Sequence, residues 1–382
     1  MKRQKGWAAF LAFGTILVLW AGAAGGVPWP QAFGVFTDLG TLGPYPGTTN
    51  SYSEPRGVND LGQVVGMSTS PNTTTQQYQG FLWTPGQGMI DLGVPQDPDD
   101  LTLVYWGAPA YGINNAGQII VDCWVGEYSR AWVYQDGAWT KLKRAVDWGN
   151  TKAYAINQKG QIAGGTHFNV EGHLEWQACV WDSVAALPRP LGTLGKSPST
   201  GRAINNNGWV VGESGKLDNS THAFLSTGGP MQDLGPLIEN GGSWATGIND
   251  AGWIAGHASK SFSFGTAVRW SPAGVIENLG NVIVGNPNSS SAIAINNAGQ
   301  ITGTDWGLGA YDTGHGFLYS GGKMWDIGTP SGLPQDWNGA YAINNRGQIV
   351  GVAGFPEPEG GVRAFLWTRA TTPSVNILLL LD

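Results

Sequence analysis

Small, apolar and polar positions recur along the chain in a short cadence, read most cleanly at Ala342 to Gly351: Ala-Ile-Asn-Asn-Arg-Gly-Gln-Ile-Val-Gly. The cadence occurs seven times, with its leading Asn at Asn59, Asn114, Asn157, Asn205, Asn249, Asn296 and Asn344. Successive Asn residues are 55, 43, 48, 44, 47 and 48 positions apart. A near-constant period of this length predicts an array of like supersecondary units that bury their faces only against one another.

Within each unit a β-branched residue stands before the Asn (Val58, then Ile113, Ile156, Ile204, Ile248, Ile295, Ile343) and another five positions after it (Val64, Ile119, Ile162, Val210, Ile254, Ile301, Ile349). β-branched residues on both sides of an Asn/Gly turn predict a hairpin. Gly follows three positions after each Asn (Gly62, Gly117, Gly160, Gly208, Gly252, Gly299, Gly347), which predicts a type I turn closed by a left-handed residue. The Asn side chain is expected to brace that turn. Two positions before each Asn only Gly or Ala occurs (Gly57, Gly112, Ala155, Ala203, Gly247, Ala294, Ala342), so something must pack very close to the first strand.

Two further strands follow each hairpin. The third is an aromatic and aliphatic run such as Gly80-Phe81-Leu82-Trp83 or Ala364-Phe365-Leu366-Trp367, apolar on both faces. The fourth is an Asp-Leu-Gly segment, as at Asp91-Leu92-Gly93, Asp233-Leu234-Gly235 and Asp326-Ile327-Gly328. Four short strands per unit, small residues on the first and bulky ones on the third, predict an all-β, seven-bladed β-propeller with the first strand at the crowded axis. Six or eight blades, or an open solenoid, are the competing architectures.

The His222-Ala223-Phe224-Leu225 run, the Gly/Ala-Ile-Asn-Asn-x-Gly-Gln-Ile-x-Gly element and Asp38-Leu39-Gly40-Thr41-Leu42-Gly43 together resemble the HAF-repeat family of bacterial exported proteins. The resemblance implies a β-propeller and an extracellular location, and carries no catalytic or binding residues with it. The second unit departs from the pattern, with Val121 where the others have Gly and Lys141-Leu142-Lys143 in place of Asp-Leu-Gly.

Residues 1–24 read as an export signal: Lys2, Arg3 and Lys5, an apolar core from Trp7 to Trp20, then small residues. That core is shorter than the roughly 20 residues a membrane span needs, and no later stretch is long enough. Residues 25–382 read as a single propeller domain, secreted or in the cell envelope, and a monomer is expected. Removing the signal leaves 17 Lys and Arg against 27 Asp and Glu, which argues against a nucleic-acid partner. For Cys123 and Cys179 a disulfide between neighbouring units and two free buried thiols both fit. Val35 to Gly40 is an orphan fourth strand, and Asn376 to Leu381 is a second candidate for closing the last unit.

The turns within the hairpins and between third and fourth strands are brief, whereas the other two connections are long and differ from unit to unit, as in Val94 to Pro109, Thr166 to Trp176, Lys196 to Thr200 and Leu308 to His315. One face of the disk is therefore trimmed and the other elaborated, as expected of a binding surface on a rigid scaffold. Tyr105, Trp106, Trp148, Trp244, Trp306 and Trp337 are assigned to that face, with Asp99 and Asp100 as polar neighbours. Stacking rings with polar edges suit a glycan or a cell-surface protein. No hydrolase elbow, phosphate loop or zinc motif is present, so no cofactor or metal is called for, although His167, Glu171, His173 and Glu175 crowd one segment. The reading favoured is a non-enzymatic exported binding module. Its alternative is a secreted polysaccharide hydrolase or lyase using carboxylates such as Asp99, Glu171 or Asp305 near the axis.

Overall fold

The first described strand, β1 (Gly34–Asp38), belongs to no hairpin of its own and pairs with the last described strand. Between them the strands come in groups of four. Blade 1 holds β2 (Ser53–Val58), β3 (Val64–Ser68), β4 (Gln79–Thr84) and β5 (Gly88–Asp91). Blade 2 holds β6 (Ala110–Ile113), β7 (Ile119–Val125), β8 (Tyr128–Gln135) and β9 (Ala138–Lys141). Blade 3 holds β10 (Thr151–Ile156), β11 (Ile162–Val170), β12 (His173–Trp181) and β13 (Arg189–Gly192). Blade 4 holds β14 (Lys196–Ile204), β15 (Val210–Gly215), β16 (Thr221–Ser226) and β17 (Gln232–Asp233). Blade 5 holds β18 (Gly242–Ile248), β19 (Ile254–Ser259), β20 (Thr266–Trp270) and β21 (Ile276–Asn278). Blade 6 holds β22 (Ser290–Ile295), β23 (Ile301–Trp306), β24 (Gly314–Ser320) and β25 (Lys323–Asp326). Blade 7 is β26 (Asn338–Ile343), β27 (Ile349–Phe355) and β28 (Gly361–Arg369), with β1 as its fourth strand. This computed structural model describes residues 34–72, 78–97, 99, 105–126, 128–259, 265–282, 290–306, 314–332, 336–355 and 361–370.

The seven sheets are antiparallel meanders and form a seven-bladed β-propeller, whose first strands touch in a closed circuit from β2 through β26 and back to β2. The N-terminal strand decides closure: β1 pairs antiparallel with β28 from Gly34↔Arg369 to Asp38↔Phe365, and Asp38 accepts a 2.6 Å bond from Arg363 Nη1. Residues 376–381 and the segment 1–24 lie outside the described residues. Without β1 the edge of β28 would offer unpaired backbone groups to other chains.

The hairpin turns are as the sequence requires. Gly62, Gly117, Gly160, Gly208, Gly252, Gly299 and Gly347 have φ between 74° and 83°, and each donates its N–H to the carbonyl of the leading Asn. The Asn braces the turn through Oδ1, which at Asn157 accepts the N–H groups of Lys159 (3.0 Å) and Gln161 (2.9 Å). Its amide does something the pattern did not disclose. Asn59 Nδ2 donates to the carbonyl of Asn114, Asn114 to Asn157, Asn157 to Asn205, Asn205 to Asn249, Asn249 to Asn296, Asn296 to Asn344, and Asn344 back to Asn59, at 2.8–3.2 Å. A second circuit lies beside it. Each residue after the Asn donates its N–H to the side-chain oxygen of its counterpart in the next blade, from Asp60 to Asn115 round to Asn345 and Asp60.

The first strand also carries a bulge at the same place in every blade, so that Arg56, Tyr111, Tyr154, Arg202, Thr246, Ile293 and Tyr341 have no partner in the second strand. The bulge explains the small residues that follow it: a Cβ on Gly57 would meet Gly112 Cα at 3.1 Å, and one on Gly247 would meet Ala294 Cα at 3.3 Å.

The apolar core lies between blades rather than within them. Seven clusters of buried residues each combine strands of two neighbours, for example Val350, Ala364 and Leu366 of blade 7 with Val64 and Phe81 of blade 1. That is why the third strand is apolar on both faces. The Asp-Leu-Gly segment is a fastening: Leu is buried, Asp Oδ1 accepts the Gly N–H at 2.7–2.8 Å, and the Gly is left-handed. The His that opens the third-strand run pairs with that Asp: His222, before Ala223-Phe224, with Asp233 at 2.8 Å, and His315, before Gly316-Phe317, with Asp326 at 2.9 Å. In blade 2 Leu142 is still buried, while Lys141 turns to Asp97 at 2.7 Å.

Two segments expected as loops are strands. The stretch from Thr166 to Trp176 continues β11 and β12 in register to Val170↔His173, across a two-residue turn at Glu171 (φ 50°) and Gly172 (φ 85°). Two successive left-handed residues suit a tight hairpin. Lys196 to Thr200 likewise begins β14.

Candidate functional site

Because each first strand runs from the loop-rich face to the Asn turn, the axis has two unlike ends. At the turn end, a polar hollow of about 210 Å³ is lined by the Asn circuits, with Val58 and six Ile side chains. Its two carboxylates, Asp60 and Asp250, are held below their ordinary range: burial would raise them, and the neighbouring Asn amides and N–H groups outweigh it. Their bonds are spent on closing the ring.

Towards the loop-rich end the bulge residues meet. The Arg56 guanidinium lies 4.3 Å over the Tyr111 ring and that of Arg202 lies 4.6 Å over Tyr154, while the two tyrosines meet edge to face at 5.9 Å. The carboxylates here are bound by cations: Glu54 accepts from Arg56 at 3.2 Å and from Tyr52 at 2.7 Å, and Glu213 is chelated by Arg202 at 2.6–3.0 Å. Trp244, expected on the surface, instead belongs to β18 and stacks on His257 at 5.1 Å. Burial depresses the His257 pKa to about 4, assisted by Arg202, and its Nδ1 lies 3.1 Å from Ser291 Oγ.

An aromatic cavity of about 360 Å³ opens beside this end, between blades 2 and 3. Trp106, Trp124, Gly126, Tyr128, Ser129, Asn150 and Lys152 line it. The backbone builds it from two fastenings. Trp106 N–H donates to the Trp124 carbonyl (2.9 Å) and Trp124 N–H to Gly107 (3.0 Å), which pins the segment before β6 against the end of β7. Ser129 N–H donates to Asn150 Oδ1 (2.9 Å), and Arg130 Nη1 donates to the carbonyls of Ser129 (3.0 Å) and Gly149 (2.7 Å), tying the lead into blade 3 to β8.

Behind this wall stands Asp122, fully buried. Trp124 Nε1 donates to its Oδ2 at 3.1 Å, while Oδ1 and the neighbouring Ser129 Oγ make no hydrogen bond of good geometry. Burial raises the Asp122 pKa to about 6, against the opposing pull of Trp124, Lys152, Arg56 and the nearby Ser129 hydroxyl. Asp122 carried no signal in the sequence beyond being a lone acid within an apolar strand, and Lys152 none at all.

Of the residues assigned from the sequence, the structure brings Trp106 (47% exposed) to this cavity. Trp148 is exposed in the connection between blades 2 and 3. Trp306 ends β23 and Trp337 precedes β26, both half-buried on other blades. Tyr105 is a core residue: its ring meets Trp132 edge-on and its hydroxyl donates to Asp97 at 2.8 Å. Asp99 is exposed and pairs with Lys141 at 2.9 Å, and Asp100 lies outside the described residues. Asp305 is buried in β23 and Glu171 sits at the β11–β12 turn, so the three carboxylates considered for catalysis belong to separate regions. Among the described residues no three His, Cys, Asp or Glu side chains converge. Cys123 and Cys179 are free, buried in different inter-blade clusters, and burial raises both thiols.

No protein-family model and no curated protein sequence matches the chain, so the HAF-repeat resemblance gains no support from that side. Solved structures do match. A puromycin hydrolase is similar at TM-score 0.53 and 13% identity over 81% of this chain and 53% of its own. A puromycin-hydrolyzing peptidase of Mycobacterium tuberculosis gives 0.54 and 10% over 82% and 51%. The β-propeller domain of the Trilobed protease from Pyrococcus furiosus gives 0.52 and 10% over 83% and 95%. The chain spans about half the length of the two puromycin-cleaving proteins. At such identities the likeness is one of fold.

Proposed function

We propose that this chain is an exported, non-enzymatic binding module that engages a glycan through its loop-rich face. The observation that carries the reading is the cavity between blades 2 and 3. Aromatic rings from three positions stand with amide, hydroxyl and ammonium groups in a hollow of about 360 Å³, the mixture of apolar platform and polar edge that a sugar ring presents in return. At the loop-rich end of the axis Glu54 and Glu213 are bound to arginines, which supports binding over glycoside hydrolysis, a reaction that needs two carboxyl groups facing one bond. The hydrolase alternative draws on one feature, a carboxyl raised to about 6 at Asp122, the character of a general acid. Asp122 is shut behind Trp124 and has no second carboxylate beside it among the described residues.

Membership of the HAF-repeat family belongs to the same proposal. Its support is that the two signature elements interlock, the His of one with the Asp of the other. A glycan array on the chain lacking residues 1–24 tests the function. Binding that Trp106→Ala weakens by about tenfold or more, and that Trp337→Ala leaves unchanged, is the expected result. Turnover of a polysaccharide without retained binding would replace this reading with the hydrolase, and binding only to a protein partner would remove the glycan from it.

A further inference from the structure

Within the glycan-binding reading, on which this inference rests, the charges around the cavity select among sugars. Lys152 lines the hollow and forms no ion pair among the described residues. Arg130 is the second cation of the wall, its guanidinium 5.6 Å from the centre of the Tyr128 ring and fastened to two backbone carbonyls rather than to a carboxylate. Burial and the charge of Arg144 lower the Arg130 pKa, while Tyr105, Asp97 and Tyr128 pull it the other way. The whole chain is acidic, with a net charge of −7, so a cavity lined by Lys152, with the Arg130 guanidinium near its Tyr128 ring, runs against its average.

Among the described residues Asp122 is the carboxylate that acts on Lys152, and Asp97, already paired with Lys141, acts on Arg130. Asp122 is solvent-shielded, one oxygen is committed to Trp124, and it lies beyond ion-pair distance of Lys152. A cationic ligand would meet Lys152 and Arg130 without reaching Asp122. A neutral sugar would use the rings and leave the ammonium of Lys152 unanswered. A sugar bearing a carboxylate answers both, because its ring face suits an aromatic wall and its acid group suits an ammonium donor at the rim.

We propose that the cavity between blades 2 and 3 binds an acidic sugar, a uronate, with the ring against Trp106 and Tyr128 and the carboxylate on Lys152. Lys152 is then the residue that sets specificity, and the aromatic pair supplies affinity for saccharide in general.

Matched saccharides separate these roles. Oligogalacturonate and hyaluronan fragments are each titrated calorimetrically against their own methyl esters, which keep ring and linkage and lose only the charge. At least one acid is expected to bind about tenfold tighter than its ester, and the margin should shrink as salt rises through the range where surface charges are screened. Lys152→Met should erase the margin while leaving the folded circular-dichroism spectrum and the residual binding of the ester in place. Esters or neutral oligosaccharides binding as well as the acids would overturn the uronate assignment, as would an acid preference that survives Lys152→Met. If saccharide binding persists without acid preference and is still lost in Trp106→Ala, the glycan reading stands and only the uronate falls. If no saccharide binds, both fall together.

Discussion

The two ends of each first strand follow opposite rules. At the turn end, seven Asn residues make the same bond to the next blade, and the chain allows no exception there. Five residues earlier, at or just before the loop-rich start of the same strands, stand Glu54, Pro109, Lys152, Thr200, Trp244, Ser291 and Gly339. The difference is one of closure. A circuit of hydrogen bonds around an axis is complete only if every member has the same geometry, so one substitution strands a buried donor and a buried carbonyl. The other end closes nothing, and each position is free to acquire its own chemistry. Identical repeats therefore mark where the ring is held, and unlike ones where it can act.

The largest effect should come from breaking closure outright. Deleting residues 34–38 removes the fourth strand of blade 7 and should replace the single cooperative melt with early loss of structure and self-association, read by circular dichroism and sedimentation. Asn157→Ala comes next. It strips four hydrogen bonds from a buried turn, leaves the Asn205 carbonyl without its donor, and should cost about 3–4 kcal/mol in chemical denaturation. If it costs under about 1 kcal/mol, the circuit is ornament and the comparison between the two ends fails.

Gly303→Ala tests the bulge that shapes the channel. A Cβ there would stand 1.9 Å from the Ser291 carbonyl oxygen, so the first strand must move, at about 3 kcal/mol. A melt within error of the parent would show that the bulge is soft.

Titration distinguishes the ends further. At the loop-rich end, Asp122 is raised from 3.8 to about 6, so the folded state favours its proton, and its contribution is present below pH 4 and lost as pH rises through 6. Asp122→Asn should thus raise the thermal midpoint at pH 8 and lose that advantage at pH 4. His257, lowered from 6.5 to about 4, has the opposite sign: its contribution is present above pH 6.5 and lost as pH falls towards 4. His257→Gln should flatten that acid limb. At the turn end, Asp60 and Asp250 lie below the ordinary range, so their contribution persists at neutral pH and goes only in stronger acid. Midpoints for both variants that parallel the parent from pH 4 to 8 would contradict these assignments. The smallest effect should be Trp148→Ala, which changes an exposed side chain and should stay within about 0.5 kcal/mol of the parent.

Much of the scaffold was legible because it rests on local chemistry. Gly at the third position after each Asn means a left-handed residue in any hairpin of this length, and the seven φ values agree. Gly and Ala before the Asn announced a close approach. The candidate site was far less legible. Tyr105 and Trp244 share composition and spacing with Trp106, yet one is buried against Trp132 and one lies on His257, because side-chain direction depends on neighbours contributed by other blades. Asp122, Ser129, Asn150 and Lys152 were missed for the same reason: each is an unremarkable polar residue until two blades stand side by side.

The sequence by itself determined the number of blades, the order of strands within them and the turn that joins the first pair, since period, alternation and turn residues act over a few positions of chain. Only the tertiary structure decided that β1 rather than the C-terminal stretch completes blade 7, that the Asn amides reach across to the next blade, and that one cavity gathers Trp106, Trp124 and Lys152. Those outcomes depend on contacts between residues tens to hundreds of positions apart, and no local pattern encodes the angle at which one blade meets the next.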